Sequence, residues 1–556
     1  MKHLLTKKSV IVKIALVAFV LVFLAHQLTY SPYNPYDFFQ NSRKGIIPIK
    51  AFFDGLEKYA VHGDRLKGNY INEKVHDAPS KDREFLYSKE YLEGILNIKD
   101  ETFQKLKESH HGFVNEHMPH LLDTVGVATF GELTPKSDKW ESYRNSAGYV
   151  LIGGGKYSWL AYLVVKQIRM TGSTLPVEVF IPTKSDLDAR FCNEIMPKYN
   201  AKCNMLDSSL LEYLSLKFNL SGYQYKMLAI MASSFENVIY LDSDLYPLKN
   251  VEYLLTSDLY KEKGLLIWPD YWSRTTNPKY YEIAGLHVPE KKVRYSQYDR
   301  AQAEKKGEGL RDLKDYTFKD SNFHDFENTL PNPTSEAGVM LVNKTSHVRT
   351  LLLALYYNVY GPNFYYPLLT QGGAGEGDKE TFIAAATVMQ EPWFQTQKQF
   401  MWVGYHSEDT SKFESKALGH YDPITAKDDD KPAPLIFSHC SYPKHWTDWM
   451  YNNNDLIYKT SGEHIRMYKA TYENIGYDLD LRLLTAFTEA LCEDIWLEKE
   501  KEDNIPLDQR EEYMGNFLEY INNDREVNKK RCEEVYVPHL KWLQQTTQYP
   551  DTLKPE

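Results

Sequence analysis

The first strong pattern in the chain is an almost wholly apolar run from Val10 to Leu28, broken near its start by Lys13. A helix needs about 20 apolar residues to cross a bilayer, so this run predicts a membrane-spanning segment over 9–28. Lys2, Lys7, Lys8 and Lys13 precede its apolar centre, and no Lys or Arg follows until Arg43. That asymmetry predicts a cytosolic tail at 1–8 and a lumenal remainder. A cleaved signal peptide is the alternative, but Phe23, two residues before Ala25, spoils a small-x-small cleavage site. The segment TYSPYNPYDFF then shows no periodicity and reads as the start of a stem. Between Leu56 and Asp123 apolar and charged residues mix at helical spacing, which predicts a helical extension completing a region 29–140.

From Ala147 the pattern changes. AGYVLI is a strand that ends in Gly153, Gly154 and Gly155; SWLAYLVVKQIRM is a helix; VEVFIP is a second strand. This is a βαβ unit and predicts an α/β domain with a mostly parallel sheet. YQYKMLAIMASSF reads as a buried helix, and Val238–Leu241 as a strand running straight into two aspartates. Glu336–Asn343 reads as another buried strand. Glu408 to Lys431 is polar, ends in Asp428, Asp429 and Asp430, and is predicted to be a solvated loop. Charged amphipathic patterns from Asn454 onward predict a C-terminal helical extension, 454–556.

Composition narrows the partners. The net charge of −11 disfavours nucleic acid, whose phosphates need clustered cations. Tyrosine is abundant, at 42 residues, and its flat face with a polar tip suits sugars as well as ordinary packing. None of the five cysteines forms a close Cys-x-x-Cys pair, which argues against structural zinc. In a lumenal chain the local pairings Cys192–Cys203 and Cys492–Cys532 are the first disulfides to expect. Sequons at Asn219 and Asn343 fit lumenal exposure.

Four clusters can carry chemistry. Asp242-Ser243-Asp244 stands at the carboxyl end of a strand, the edge where open α/β sheets bind ligands. Two carboxylates one residue apart on a turn can share a divalent cation, and a departing diphosphate needs that charge. His439, beside the short strand Pro434–Phe437, is a third candidate ligand that would favour Mn²⁺ over Mg²⁺; a hydrogen-bonded structural histidine is the alternative. Lys444 can hold a diphosphate as a point charge. In QGGAGEGDKETF, Asp378 and Glu380 begin a helix after four glycines, and either offset its dipole or orient hydroxyls of the substrate. In LLIWPDYWSRTTN, Trp268, Tyr271 and Trp272 surround Asp270, as a sugar platform or as an apolar loop anchor. Gly153 to Gly155 allow a nucleotide close to the backbone.

The strings VIYLDSDLYPL, WPDYWSRTTNP, EAGVMLVNK, GEGDKETF and HCSYPKHW, spaced between Gly148 and Trp446, together resemble the fungal mannan-branching α-mannosyltransferase family. The resemblance implies a GT-A catalytic domain, set here at 141–453, with GDP-mannose as donor, Mn²⁺ as cofactor and a Golgi type II membrane location. It further implies transfer of α-1,2-linked mannose, with retention, to the α-1,6 backbone of N-linked mannan. On that reading Asp242, Asp244 and His439 hold the metal, and Asp378 or Glu380, with Asp270 next in line, stands nearest the reacting carbon. Rival readings are an α-1,3-linking transferase, a mannosylphosphate transferase with the same donor, and a non-catalytic lumenal sugar-binding protein.

Overall fold

Apolar runs rich in β-branched and aromatic residues become the inner strands of one sheet, because both of its faces are covered. The computed structural model describes residues 49–68, 84–125, 143–206, 214, 216–426, 432–492 and 517–555. The expected cytosolic tail and membrane anchor, and the run Asp428–Asp430, lie outside the described residues. Among the described residues no helix is long and apolar enough to cross a membrane.

The strands are β1 (Ala147–Ile152), β2 (Val177–Phe180), β3 (Ala201–Asn204), β4 (Asn237–Leu241), β5 (Leu245–Pro247), β6 (Leu265–Pro269), β7 (Ser335–Asn343), β8 (Phe394–Gln395), β9 (Met401–His406), β10 (Phe413–Tyr421) and β11 (Leu435–His439). Seven form a central sheet in the order β3-β2-β1-β4-β7-β6-β8. β3, β2, β1 and β4 run parallel, as the βαβ pattern predicts, whereas β7 is antiparallel to both its neighbours. A smaller antiparallel sheet, β5-β11-β10-β9, meets the central one where β4 continues into β5. The predicted solvated loop from Glu408 is largely β10 instead. Lys416, Ala417 and His420 are buried, with Lys416 neutralised by Asp455 at 2.6 Å. Polar residues on a covered strand face read as loop when the partner carboxylate is far away in sequence.

Two hydrophobic layers flank the central sheet. One contains the helices Tyr225–Ala232, Val348–Val359 and Thr381–Met389. The other contains Tyr157–Met170 with the C-terminal helices Leu479–Leu491 and Val537–Thr546, and Trp159 packs edge-on against Phe487 at 5.1 Å. The N-terminal helices are woven into the first layer. Phe52, Phe53 and Leu56 are fully buried. Phe113 stacks on Tyr356 at 4.4 Å, and the Tyr360 hydroxyl donates to the Leu56 carbonyl at 3.0 Å.

Both expected disulfides are formed, Cys192–Cys203 and Cys492–Cys532, and Cys440 is a buried free thiol. The sequon asparagines differ in setting. Asn219 is exposed, whereas the Asn343 amide donates to Asn237 at 2.9 Å and accepts from Ser346 N–H at 2.9 Å. The Asn343 amide is half-buried and already engaged on both its atoms, so the exposed Asn219 is the better acceptor.

A chain truncated to begin at Ile49 should therefore fold. One begun after Val125 should not, because each large apolar side chain left exposed costs about 1.5–3 kcal/mol. Soluble yield and a cooperative thermal transition are the readout. A stable, cooperative chain lacking 49–125 would show that this segment is only a spacer.

Candidate active site

The Asp-Ser-Asp turn is built by the junction of the two sheets. The N–H of Asp242 donates to the Gly338 carbonyl at 2.7 Å, prolonging the β4–β7 ladder by one residue. Leu245 N–H closes the turn on the Asp242 carbonyl at 3.0 Å, and Cys440 N–H donates to the Asp244 carbonyl at 2.9 Å, joining the turn to the end of β11. The Ser243 hydroxyl bonds the Ile152 carbonyl at the end of β1. Both aspartates thus emerge from backbone fixed on several sides, facing a cleft of about 460 Å³.

His439, the last residue of β11, sits between two acids. Its Nδ1 is 2.9 Å from Glu336 Oε2 and its Nε2 is 3.5 Å from Asp244 Oδ1. Burial would lower its pKa, but Glu336 and Asp244 outweigh burial and hold it well above the ordinary value. Burial pushes Asp244 and Glu336 upward, but the same contacts with His439 outweigh it and hold both well below the carboxylate range, with Lys444 helping at Asp244. Lys444 pairs directly with Asp244. Its loop is pinned by the next residue: the His445 ring lies between the Tyr246 hydroxyl at 2.8 Å and the Tyr468 hydroxyl at 3.0 Å, and its carbonyl accepts from Trp159 Nε1 at 2.8 Å.

A second group of charges lies across the cleft. Lys226, buried on the helix Tyr225–Ala232, places its ammonium 3.0 Å from Asp378 and 3.4 Å from Asp242, and donates to the Ala337 carbonyl at 2.8 Å. Burial pushes the Asp378 carboxyl up to about 6 against the pull of Lys226. Lys379 turns back to Asp270 at 2.7 Å. The turn needs Gly375, which has φ +72° and whose added Cβ would lie 2.9 Å from Lys379 Nζ. Burial raises the Asp270 carboxyl, and Lys379 opposes it.

Could this cleft hold a divalent cation? Its carboxylates are Asp242, Asp244, Asp270, Glu336 and Asp378; its lysines are Lys226, Lys379 and Lys444, with Lys416 already offset by Asp455. With a neutral imidazole at His439 the lining is left two charges negative, which matches one divalent ion. If Nδ1–H donates to Glu336, the lone pair of Nε2 points toward Asp244, the usual way a carboxylate orients a ligating histidine. Two carboxylates and one imidazole suit Mn²⁺ or a similar ion. Glu336, His420 and His439 also bring ligand atoms within 4.8 Å of one another, and both ring nitrogens of buried His420 lack hydrogen-bond partners.

The chain is 54% identical over 506 residues, covering 90% of itself and 84% of the relative, to the α-1,2-mannosyltransferase MNN2 of Candida albicans. It belongs to the fungal α-1,2-mannosyltransferase family. It is also 41% identical over 381 residues to the α-1,2-mannosyltransferase MNN2 of Saccharomyces cerevisiae, covering 66% of this chain and 60% of that one. The mannosyltransferase family model Mannosyl_trans3 matches residues 146–422. Among solved structures, an active-site mutant of LgtC aligns over 53% of this chain and 88% of that chain at 13% identity, with a TM-score of 0.29, too low to support an argument.

In this mannosyltransferase the residues expected from sequence divide into two sets. Asp242, Asp244, His439, Lys444, Asp378, Asp270 and Trp272 line one cleft. Glu380 does not. Its carboxylate is fully buried, paired with Arg274 and accepting from Ser335 N–H at 2.8 Å, so it holds the loop after β6 against the start of β7. Trp268 is also core: it is fully buried, donates to the Tyr421 carbonyl at 2.7 Å and packs edge-on to Phe437, so it cannot be a sugar platform. Gly153–Gly155 are occupied by the protein itself. Gly153 N–H bonds the Phe180 carbonyl, Gly154 N–H bonds Ser158 Oγ, and Gly155 N–H bonds the Asp186 carbonyl. A Cβ on Gly153 would lie 2.5 Å from Val179, so close packing against β2 already accounts for that glycine. Sequence reasoning passed over Lys226, Glu336, Lys379 and His420.

Glu380→Gln and Asp378→Asn should therefore separate. The first strands a buried guanidinium and should cost on the order of 3–5 kcal/mol of stability, while the folded fraction keeps its turnover. The second should leave the melting temperature near wild type and cut turnover by roughly a hundredfold. Melting curves and initial rates on the same preparations decide; the reverse pattern would exchange the two roles.

Proposed function

We propose that the protein transfers mannose from GDP-mannose, with retention of the α configuration, to the α-1,6-linked backbone of N-linked mannan, forming α-1,2 branches. We read its central sheet and metal-site turn as a GT-A organisation, and its Val10–Leu28 run as the anchor of a single-pass type II protein of the Golgi membrane. The observation that carries the reading is the convergence of Asp242, Asp244 and His439 on one cleft with Lys444 at the same carboxylate, in a chain of this family.

Asp242, Asp244 and His439 are the residues that would hold Mn²⁺, and the ion when bound would supply positive charge to the departing diphosphate. Lys444 lies beside Asp244 and adds a second positive charge where the phosphates would collect. Glu336 fixes the orientation of the His439 ring and, with an ion bound, would hold the one remaining proton on the nitrogen turned away from Asp244. Asp378 and Asp270, each held by a lysine, border the part of the cleft left for the sugar and the attacking hydroxyl. Burial of Asp378 raises its proton affinity, which fits a group that receives or stabilises a proton near the reacting carbon. Trp272, beside Tyr271 at 4.9 Å, offers an aromatic wall to a sugar ring.

A donor screen with the purified protein, Mn²⁺ and an α-1,6-mannan acceptor tests the reading, with linkage analysis of the product. α-1,2-mannose formed from GDP-mannose is the expected result; an α-1,3 linkage or a mannosylphosphate would replace it. Asp242→Asn should abolish transfer with little change in melting temperature. Glu336→Gln should raise the Mn²⁺ needed for half-activity by roughly 10–100-fold. Mn²⁺ binding followed by electron paramagnetic resonance should weaken in parallel, and full activity in excess chelator would defeat the metal assignment.

A further inference from the structure

A second cavity, of about 300 Å³, adjoins the cleft. It is lined mainly by the long excursion between β6 and β7, together with the N-terminal residues Phe85 and Tyr87. Its volume is at the lower end of the range of small-ligand sites, about 300–1,000 Å³. Tyr271 and Trp402 line both cavities, so this pair of rings, 4.9 Å apart, is the partition between them. Phe400 packs on both rings, at 6.0 and 5.0 Å. Trp402 nevertheless remains 44% exposed, a large apolar face left beside water at the mouth of the cleft.

The chemistry of the second cavity differs from that of the cleft. The charged groups on its lining face partners, with Lys292 shared between Asp299 at 2.6 Å and Asp325. Arg274 pairs with Glu380 and donates to the Pro331 and Pro333 carbonyls, and Asp325 faces Lys292 at 3.5 Å. His324 is kept neutral by burial. The rest of the lining is neutral: the amides of Gln297, Gln399 and Asn332, the last already accepting from Arg274 N–H through its Oδ1, the Tyr298 hydroxyl and the aromatic rings. A nucleotide diphosphate would meet no uncommitted cation here. An uncharged sugar ring would find amide and hydroxyl partners for its hydroxyls and aromatic surface for its C–H face.

We propose that this cavity is an acceptor subsite, holding a mannose unit of the α-linked chain next to the unit that receives the branch, with Tyr271 and Trp402 between the two units. The proposal rests on the transfer reaction proposed above: a branching enzyme acts within a polymer, and the neighbouring unit must lie one partition away from the reacting one. It also gives the N-terminal segment a part in acceptor choice, because Phe85 and Tyr87 form one wall.

Tyr298→Ala and Gln399→Ala, which touch the second cavity and not the cleft, provide the test in the full-length protein with GDP-mannose and Mn²⁺. Catalytic efficiency on α-1,6-mannohexaose should fall roughly tenfold, while that on methyl α-mannoside, which has no neighbouring unit, changes less than about twofold and the KM for GDP-mannose stays put. Equal losses on both acceptors, or no loss on the hexaose, would overturn the proposal. Melting temperatures identify a misfolded variant, and the exposed Gln399 provides a milder change if Tyr298→Ala is unstable. If the wild-type protein transfers to neither acceptor, the functional reading fails on its own, and calorimetric binding of mannohexaose still tests the cavity. Binding weakened by both variants supports it; binding absent from wild type, or unchanged in the variants, refutes it.

Discussion

Five carboxylates share one cleft, and the local structure is organised around keeping them there. Two like charges 4 Å apart repel by about 4 kcal/mol at an effective dielectric of 20, so such a cluster persists only with cations interleaved. Lys226 stands between Asp242 and Asp378, His439 between Asp244 and Glu336, Lys379 on Asp270 and Lys444 on Asp244. Each cation comes from a different part of the chain: a buried helix, the end of β11, the glycine-rich loop and the loop after β11. The charge balance therefore acts as a cross-link among the two sheets and their loops. Charge also explains the glycine at 338, where a Cβ would lie 2.8 Å from Glu336 Oε1 and 3.3 Å from Asp242 Oδ2.

Much of the fold was legible because its signals are local. The βαβ pattern at 147–180, the strand before Asp242 and the buried strand at 336–343 each carry their periodicity within a few residues. The direction of β7 was not legible, since its apolar run reads the same in either sense. Nor was β10, whose Lys416 and His420 look solvent-facing until Asp455 and the buried strand face are brought to them from elsewhere.

The candidate site was legible where acids interrupt apolar runs or follow glycines, as at Asp242, Asp244 and Asp378. Glu380 carries the same local signal as Asp378, two residues away, and its burial against Arg274 depends on a partner about a hundred residues earlier. Trp268 and Trp272 likewise share a motif but not a setting: one ends a covered strand, the other lies on the loop beyond it. Glu336 and Lys226 were missed for the opposite reason. Each is a single charge at the edge of, or within, an otherwise apolar element, and such a residue is easily absorbed into the element. A lone lysine inside YKMLAIMA is itself a signal, because a fully buried ammonium requires a carboxylate partner.

The entanglement of the N-terminal segment with the catalytic body also sets a tether length. With the proposed anchor ending at Leu28 and Phe52 buried in the catalytic body, the chain between them is residues 29–51 at most. A connection of that length spans at most about 80 Å even when fully extended. On the proposed topology the cleft stays within a thin shell beside the bilayer, and an acceptor has to enter that shell to be branched, so encounter follows how close it comes to the membrane as well as its bulk concentration.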